Sequence, residues 1–226
     1  RRIITYNRSP DLPFDRSINA YRGCEHGCIY CFARPTHAYH DLSPGLDFET
    51  QLFAKPNAAE LLAKELRHPK WKASPVMFSG NTDCYQPVER KLELTRRCLE
   101  VFLRFRHPVG LITKNSLILR DLDILTELAK RRLCSVAISI PTLDPDLKRI
   151  MEPRVPAAEA RLKAVRALSL AECELGEDRV DVSGDRPLAD HECLRNCCVV
   201  QTFKSHSAGH GTITNNGHYF SVGFAF

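Results

Sequence analysis

The chain has 226 residues, 43% of them hydrophobic and 26% charged, with 32 basic against 27 acidic side chains for a net charge of +5, and ten cysteines. No apolar stretch approaches the roughly 18 residues that a membrane-spanning helix needs, so a chain crossing a bilayer in that way is excluded. Ten cysteines without a signal-peptide pattern fit a soluble cytoplasmic protein better than a secreted disulfide framework.

Residues 1–16 form a lead-in, and the opening Arg1-Arg2 with no Met is read as the sign of an absent N-terminal piece. A short segment at 17–21 then enters the run Arg22-Gly23-Cys24-Glu25-His26-Gly27-Cys28-Ile29-Tyr30-Cys31. Three thiolates spaced CxxxCxxC suit three irons of a cubane 4Fe-4S cluster, which leaves the fourth iron without a protein ligand in the motif and open to a substrate or cofactor. A structural zinc site is the alternative. It needs a fourth ligand, for which His26 or His37 is available, but the adjacent pair Cys197-Cys198 cannot supply the usual second half-site. Gly23 and Gly27 allow the backbone to curl around a cluster and turn amides toward its sulfides, and Tyr30 offers an aromatic face to a purine.

Beyond the loop, residues 58–66 have helical composition, and 75–79 (Pro-Val-Met-Phe-Ser) read as a brief buried strand ended by Gly80. Across 88–105, Leu92, Leu94, Cys98, Leu99, Phe102 and Phe105 recur near helical spacing until His107-Pro108 stops them. Residues 109–113 read as a strand, 117–131 as a helix and 135–140 as an apolar strand closed by Pro141; Asp144-Pro145 opens another helical stretch. Cys98 and Cys134 fall within these apolar patterns and are expected to be small core residues. Short apolar strands alternating with helices imply an α/β fold, a parallel sheet with its helices outside, and four βα repeats are visible.

The cysteine run resembles the signature of the radical S-adenosylmethionine superfamily. The longer strings 16–24 and 28–37, then Phe78-Ser79-Gly80-Asn81-Thr82-Asp83-Cys84-Tyr85-Gln86-Pro87, Leu111-Ile112-Thr113-Lys114-Asn115 and Met151-Glu152-Pro153-Arg154, are similar to the branch containing spore photoproduct lyase and the DNA repair photolyase-like proteins. This resemblance covers residues 14–168. It implies a partial (βα)6-type TIM barrel, a 4Fe-4S cluster held by Cys24, Cys28 and Cys31, and S-adenosyl-L-methionine on the open iron, cleaved reductively to a 5'-deoxyadenosyl radical. It also implies a reducing partner such as flavodoxin or ferredoxin, and a nucleic-acid lesion as substrate. In parallel barrels the site lies where strands run into their following loops. The positions carried over for cofactor binding are therefore Tyr30, then Ser79, Gly80, Asn81, Thr82 and Asp83 for the methionine ammonium, Lys114 for its carboxylate, Ser139 for ribose or carboxylate oxygen, and Arg154. Where the resembled lyase carries a hydrogen-donating cysteine, this chain has Cys84 and Tyr85 in a shifted register, and these are the candidate catalytic residues. An iron-sulfur protein for electron transfer or redox sensing, and a zinc-binding structural module, are the competing readings.

Arg96, Arg97, Arg104, Arg106, Arg131 and Arg132 cluster on the expected helices; they suit a phosphate-rich partner or, more simply, a solvated outer face. After residue 168 the pattern changes. Residues 1–169 carry 28 basic and 19 acidic side chains, whereas 170–226 carry 4 and 8, together with four of the ten cysteines and six of the eleven glycines. The expected organisation is thus a lead-in at 1–16, a core at 17–168 and an atypical tail at 169–226. The tail reads as out of frame, so that the barrel is incomplete after the fourth βα unit. The alternative is a genuine appendage binding metal through Cys173, Cys193, Cys197, Cys198, His206 or His210.

Overall fold

The computed structural model describes residues 2–9, 12, 14–173 and 198–201. Strand β1 (Ile4–Tyr6) pairs antiparallel with β2 (Arg16–Ile18), Ile4 opposite Ile18. A two-stranded ribbon, β3 (Tyr21–Arg22) against β4 (Phe53–Ala54), brackets the cysteine loop, a 3-10 turn at Arg34–His40 and the short helix α1 (Asp47–Thr50). Helix α2 (Ala58–Leu66) then leads to β5 (Val76–Phe78), which lies parallel to β2 with Ser17 opposite Met77.

The stretch expected as one helix at 88–105 is two, α3 (Glu89–Leu92) and α4 (Leu94–Phe105), broken at Glu93 with φ of 51°. The cause is a buried carboxylate: Glu89 accepts the backbone N–H of Thr95 at 3.0 Å and of Arg96 at 3.4 Å, capping the first turn of α4 from the preceding helix. Strand β6 (Val109–Thr113) follows, parallel to β5. The expected helix at 117–131 begins as a 3-10 turn (Ser116–Asp121), capped by Asn115 Oδ1 on the Leu117 amide at 3.0 Å, before α5 (Leu122–Ala129). Strand β7 (Cys134–Ser139) pairs parallel with β6 along five residues.

Helix α6 (Pro145–Met151) starts on Asp144, whose Oδ1 accepts the Asp146 and Leu147 amides at 2.8 and 3.1 Å. Replacing Asp144 with Ala is expected to cost about 1 kcal/mol of stability, read as a lowered denaturant midpoint at an unchanged slope. Helix α7 (Ala158–Cys173) runs straight through the 168/169 position at which the tail was expected to begin. Strand β8 (Cys198–Gln201) then joins β7 in parallel, giving the order β1-β2-β5-β6-β7-β8. Four parallel strands stand where four βα units were expected, and the sheet takes a fifth from the tail instead of ending at the fourth. The frame and metal-appendage readings of 174–197 and 202–226 lie outside the described residues.

One core joins the strand residues Ile18, Val76, Phe78, Leu111, Val136 and Ile138 to the inner faces of α2, α4, α5 and α7. Helix α4 buries Leu94, Cys98, Leu99 and Phe102 on one stripe, which is the periodicity its sequence carries. Cys98 and Cys134 both sit in this core, as expected. The shared register of β5, β6 and β7 brings their carboxyl ends to one edge of the sheet, beside the cysteine loop.

Candidate active site

The loop turns on two glycines, with φ of +79° at Gly23 and +68° at Gly27, a region that side chains rarely adopt. Space is short as well: a Cβ on Gly23 would lie 2.8 Å from Phe48 O, and one on Gly27 would run into the Arg154 guanidinium. Several side chains fasten the loop from outside. Gln86, fully buried, accepts the Glu25 amide at 3.0 Å and donates to Gly23 O at 3.1 Å. Arg34 donates to Cys28 O from Nε and Nη2, at 3.1 and 3.0 Å, and pairs with Glu49 at 2.5 Å. Arg154 donates to Glu25 O and to Glu49, while its backbone N–H reaches His26 O at 3.3 Å. Arg154 therefore straps the outside of the cysteine loop, its guanidinium held on Glu49 and the loop backbone.

Cys24 and Cys28 are buried and Cys31 half-buried, and Cys24 shares a small apolar core with Ala33 and Phe48, against which Cys31 packs. Burial pushes the Cys28 thiol up to about 12, with Lys114 working in the opposite direction. Burial also raises Cys31, partly offset by the Ala33 amide and by Arg34. Such thiols keep their protons until a metal displaces them. Among the described residues, no three His, Cys, Asp or Glu side chains form a group that could hold a single metal ion. A cubane asks for less convergence, since each thiolate takes its own iron. Of the two histidines named as fourth zinc ligands, His26 lies on Asp83 at 3.4 Å and His37 Nε2 on Gln51 O at 2.9 Å; among the described residues the three thiols, with Lys114 and Arg34 near, therefore fit an anionic 4Fe-4S cluster better than zinc.

The turn after β5 is built differently from expectation. Ser79, and not Gly80, takes the left-handed conformation, at φ of 80°; its hydroxyl donates to Thr82 O and accepts the Cys84 amide at 3.0 Å. Thr82 donates to Tyr21 O at 3.1 Å. Asp83 accepts the Thr113 hydroxyl at 2.6 Å, the Lys114 amide at 2.7 Å and the Tyr85 amide at 2.8 Å, and its Oδ2 lies 3.4 Å from His26 Nδ1. Burial would raise the Asp83 carboxyl, but His26 together with the Thr113 and Lys114 donors holds it below the usual carboxylate range. Ser79, Thr82 and Asp83 thus spend their polar groups on the turn, on β3 and on the cysteine loop. Asn81 keeps an exposed side chain, while Asn19 Oδ1 fixes its backbone N–H at 2.9 Å.

Lys114 and Ser139 do meet: Lys114 Nζ donates to Ser139 Oγ at 2.7 Å and lies 5.4 Å from the centre of the Tyr30 ring. Two residues that sequence reasoning missed complete the group. Glu152, fully buried, pairs with Lys114 Nζ at 3.1 Å, accepts the Tyr30 hydroxyl, and pairs through its other oxygen with Arg161 Nη1 at 2.9 Å. Burial would raise Glu152, yet Lys114, Tyr30 and Arg161 hold it below the usual range, and burial raises the Tyr30 phenol, with Glu152 adding to it. Glu152 was within reach of the sequence, standing in the quoted Glu-Pro-Arg string; Arg161, in the first turn of α7, carried no local signal. Cys84 and Tyr85 do not join the site. Cys84 is 1% exposed in the main core and Tyr85 fully buried, its hydroxyl donating to Asp121 at 3.1 Å.

The Radical SAM superfamily model matches residues 18–175, well over half of the chain and the whole of this site. The chain belongs to the radical S-adenosylmethionine superfamily. It is 42% identical over 160 residues to an uncharacterized protein of Mycobacterium tuberculosis, covering 71% of this chain and 47% of that one. Over 151 residues it is 29% identical to an uncharacterized protein of Methanocaldococcus jannaschii, covering 67% and 54%. The chain spans about half the length of the curated relatives it matches. Among solved structures, a spore photoproduct lyase mutant superposes with a TM-score of 0.57 at 16% identity, over 76% of this chain and 46% of that one. Another, with bound AdoMet and dinucleoside spore photoproduct, gives 0.55 at 14% identity, over 74% and 45%. The radical SAM fold is therefore shared with spore photoproduct lyase. Membership of the superfamily indicates an enzyme and implies a 4Fe-4S cluster, S-adenosylmethionine and a reductant. No helix among its described residues is long and apolar enough to cross a membrane.

Proposed function

We propose that Cys24, Cys28 and Cys31 hold a 4Fe-4S cluster, that S-adenosylmethionine binds beside it at the ends of β5, β6 and β7, and that the enzyme belongs to the spore photoproduct lyase-like branch and acts on a nucleic-acid lesion. The observation carrying this reading is the three-thiol loop with no fourth ligand among the described residues, set against the Lys114, Glu152 and Arg161 group, which has a net positive charge. When bound, the cluster supplies the electron that cleaves S-adenosylmethionine to a 5'-deoxyadenosyl radical able to take hydrogen from an unreactive C–H bond. The chain's own residues bind and orient. Lys114 Nζ neutralises the methionine carboxylate, Ser139 Oγ shares it, Tyr30 offers its ring to the adenosyl portion, and Gly80 with Asn81 leaves room for the ammonium. Ser79, Thr82 and Asp83 shape that turn and tie it to the loop.

For the lesion, the support is the dinucleoside photoproduct bound by the structurally similar lyase and a set of exposed groups beside the loop. Arg22 is exposed, as are Phe32 at 77% and Tyr39 at 84%, giving a cation and two aromatic faces for a phosphate and unstacked bases. The arginines of the outer helices add less. Arg96 is held by Asp121 and Asp123 at 3.0 and 2.8 Å, and Arg131 by Glu127 at 3.0 Å. A one-electron reductant such as flavodoxin or ferredoxin would approach Ile29 and Phe32, exposed on the cysteine loop and next in sequence to Cys28 and Cys31.

The test is anaerobic reconstitution of the full chain with iron and sulfide, reduction with dithionite, and chromatographic assay of 5'-deoxyadenosine with and without dinucleoside spore photoproduct. The expected result is about four irons per chain, 5'-deoxyadenosine above the no-protein control, and conversion of the photoproduct. A brown chromophore that leaves S-adenosylmethionine intact would make this an electron-transfer or redox-sensing protein. Bound zinc without a chromophore would make it a structural module, and cleavage without photoproduct conversion would sink the lesion assignment.

A further inference from the structure

Arg161 is the largest fully buried side chain of the described residues, yet most of its guanidinium is idle. Nη1 donates to Ser139 O at 2.8 Å and to Glu152 Oε2 at 2.9 Å, while Nε and Nη2 have no partner among the described residues. As a stabilising device this is poor. A buried ion pair seldom outperforms apolar packing of the same volume, and a buried cation with unmet donors does worse. What Arg161 touches points elsewhere, because both contacts lead to the strand ends. Its hold on Glu152 fixes one carboxylate oxygen, so that the other meets Lys114 Nζ and the Tyr30 hydroxyl. Its hold on the Ser139 carbonyl fixes the residue whose hydroxyl accepts from Lys114 Nζ at 2.7 Å.

Charge sharpens the point. Lys114 and Glu152 alone would form a neutral pair, leaving nothing to attract an incoming anion. Arg161 balances Glu152 from behind, so the group carries a surplus positive charge, and the only one of its two cations with a side chain open to solvent is Lys114, 21% exposed. Lysine is also a flexible stem carrying a point charge, so its reach depends on what tethers it.

We infer that Arg161 is a positioning residue that acts through Glu152 and the Ser139 carbonyl, setting Lys114 and its surplus charge to receive the carboxylate of the methionine half of S-adenosylmethionine without itself touching the cofactor. The inference rests on the cofactor reading above and adds a residue to it. The experiment measures equilibrium binding of S-adenosylmethionine and of 5'-methylthioadenosine, which lacks the amino-acid half, to the reconstituted full chain. The variants are Arg161→Gln, Arg161→Lys, Lys114→Met and the double variant Arg161→Gln/Lys114→Met, with melting of each unreconstituted chain recorded alongside.

Arg161→Gln is expected to weaken S-adenosylmethionine about tenfold and methylthioadenosine less than about twofold, the size of coupling that groups in one network show. Arg161→Lys should recover part of the loss. The double variant should bind no worse than Lys114→Met alone. If Lys114→Met weakens S-adenosylmethionine and Arg161→Gln does not, the positioning role is wrong while the pocket stands; if Lys114→Met has no effect, the pocket reading itself fails. Equal loss of both ligands in Arg161→Gln would mean a collapsed site and would overturn the inference. Should that variant not fold, Arg161→Lys decides by the same comparison of ligands.

Discussion

Replacing Cys28 with Ala is expected to drop bound iron after anaerobic reconstitution from about four to below about one per chain, and to bring 5'-deoxyadenosine down to background. Each thiolate of the loop is assigned one iron, so removing the middle ligand leaves only Cys24 and Cys31, two anchors at the far ends of the motif that cannot retain a cubane. The unloaded fold should hardly notice, because Cys28 belongs to the loop and not to the main hydrophobic core. A Cys84→Ala variant is the matched control, its thiol being buried in that main core. It should lose stability and keep its iron. The sign of the pH effect follows from Cys28, whose thiol burial pushes up to about 12. Protons compete with iron below that value, so loading should improve from pH 6.5 to pH 8.5, with proton release on binding. Iron retained at full occupancy in Cys28→Ala would remove the cluster assignment.

The elements most legible in the sequence are those whose ends are marked locally. The helix expected at 58–66 matches α2 end to end, and the strands expected at 75–79, 109–113 and 135–140 lie within one residue of β5, β6 and β7 at either end. Each is a short apolar run with Pro, Gly or a polar turn beside it. The break at Glu93 was illegible because the apolar stripe passes straight through it. What stops the helix is the Glu89 carboxylate, itself fixed by the Tyr21 hydroxyl and by Arg120 at 2.7 Å from 31 residues away. Strand β8 escaped notice for a related reason. Cys198-Val199-Val200-Gln201 is an apolar run of strand length, but its surroundings resemble no fifth βα unit, and only pairing with β7 defines it.

The site divides in the same way. Cys24, Cys28 and Cys31 announce themselves by spacing, and Lys114 and Ser139 by standing at strand ends. Gln86 and Arg161 have no local meaning, since each acts by what it reaches across the fold, and Glu152, although it stands in a quoted string, shows its partners only in the fold. The two arginines after Glu152 show the difference. Sequence proximity favoured Arg154, the residue next to the motif, but that side chain is held on Glu49. The arginine that pairs with Glu152 is seven residues further on, on the buried face of α7. Polarity in a strand-end turn misled in another manner. Ser79, Thr82 and Asp83 stand in the turn after β5, where their donors and acceptors are consumed in holding it together.

Asp83 is where that holding is concentrated, and its removal should be the costliest single change among the polar residues of the turn. Its carboxylate joins three elements: the turn after β5 through the Tyr85 amide, the end of β6 through Thr113 and Lys114, and the cysteine loop through His26. Asp83→Ala is expected to cost about 3–5 kcal/mol, the range for removing one partner of a buried charge pair, which is a large share of the 5–15 kcal/mol of a typical domain. Asp83→Asn should not rescue it. Its oxygen can serve Thr113 and Tyr85, but its NH2 would then face the Lys114 N–H, donor against donor. The pH dependence has a definite sign. The folded Asp83 carboxyl lies below its ordinary value, so its contribution is fully present above the unfolded value of about 3.9 and is lost as pH falls through the folded one. Burial would lower His26, but Asp83 raises it to about 10, so urea titrations of the native chain and Asp83→Ala should lie furthest apart near pH 5 to 6, converge below about pH 4 and draw together again above about pH 6.5. A gap under about 0.5 kcal/mol at neutral pH would show that the carboxylate is not the tie between the strand ends and the cysteine loop, and that contacts such as those of Gln86, Arg34 and Arg154 keep the loop in place.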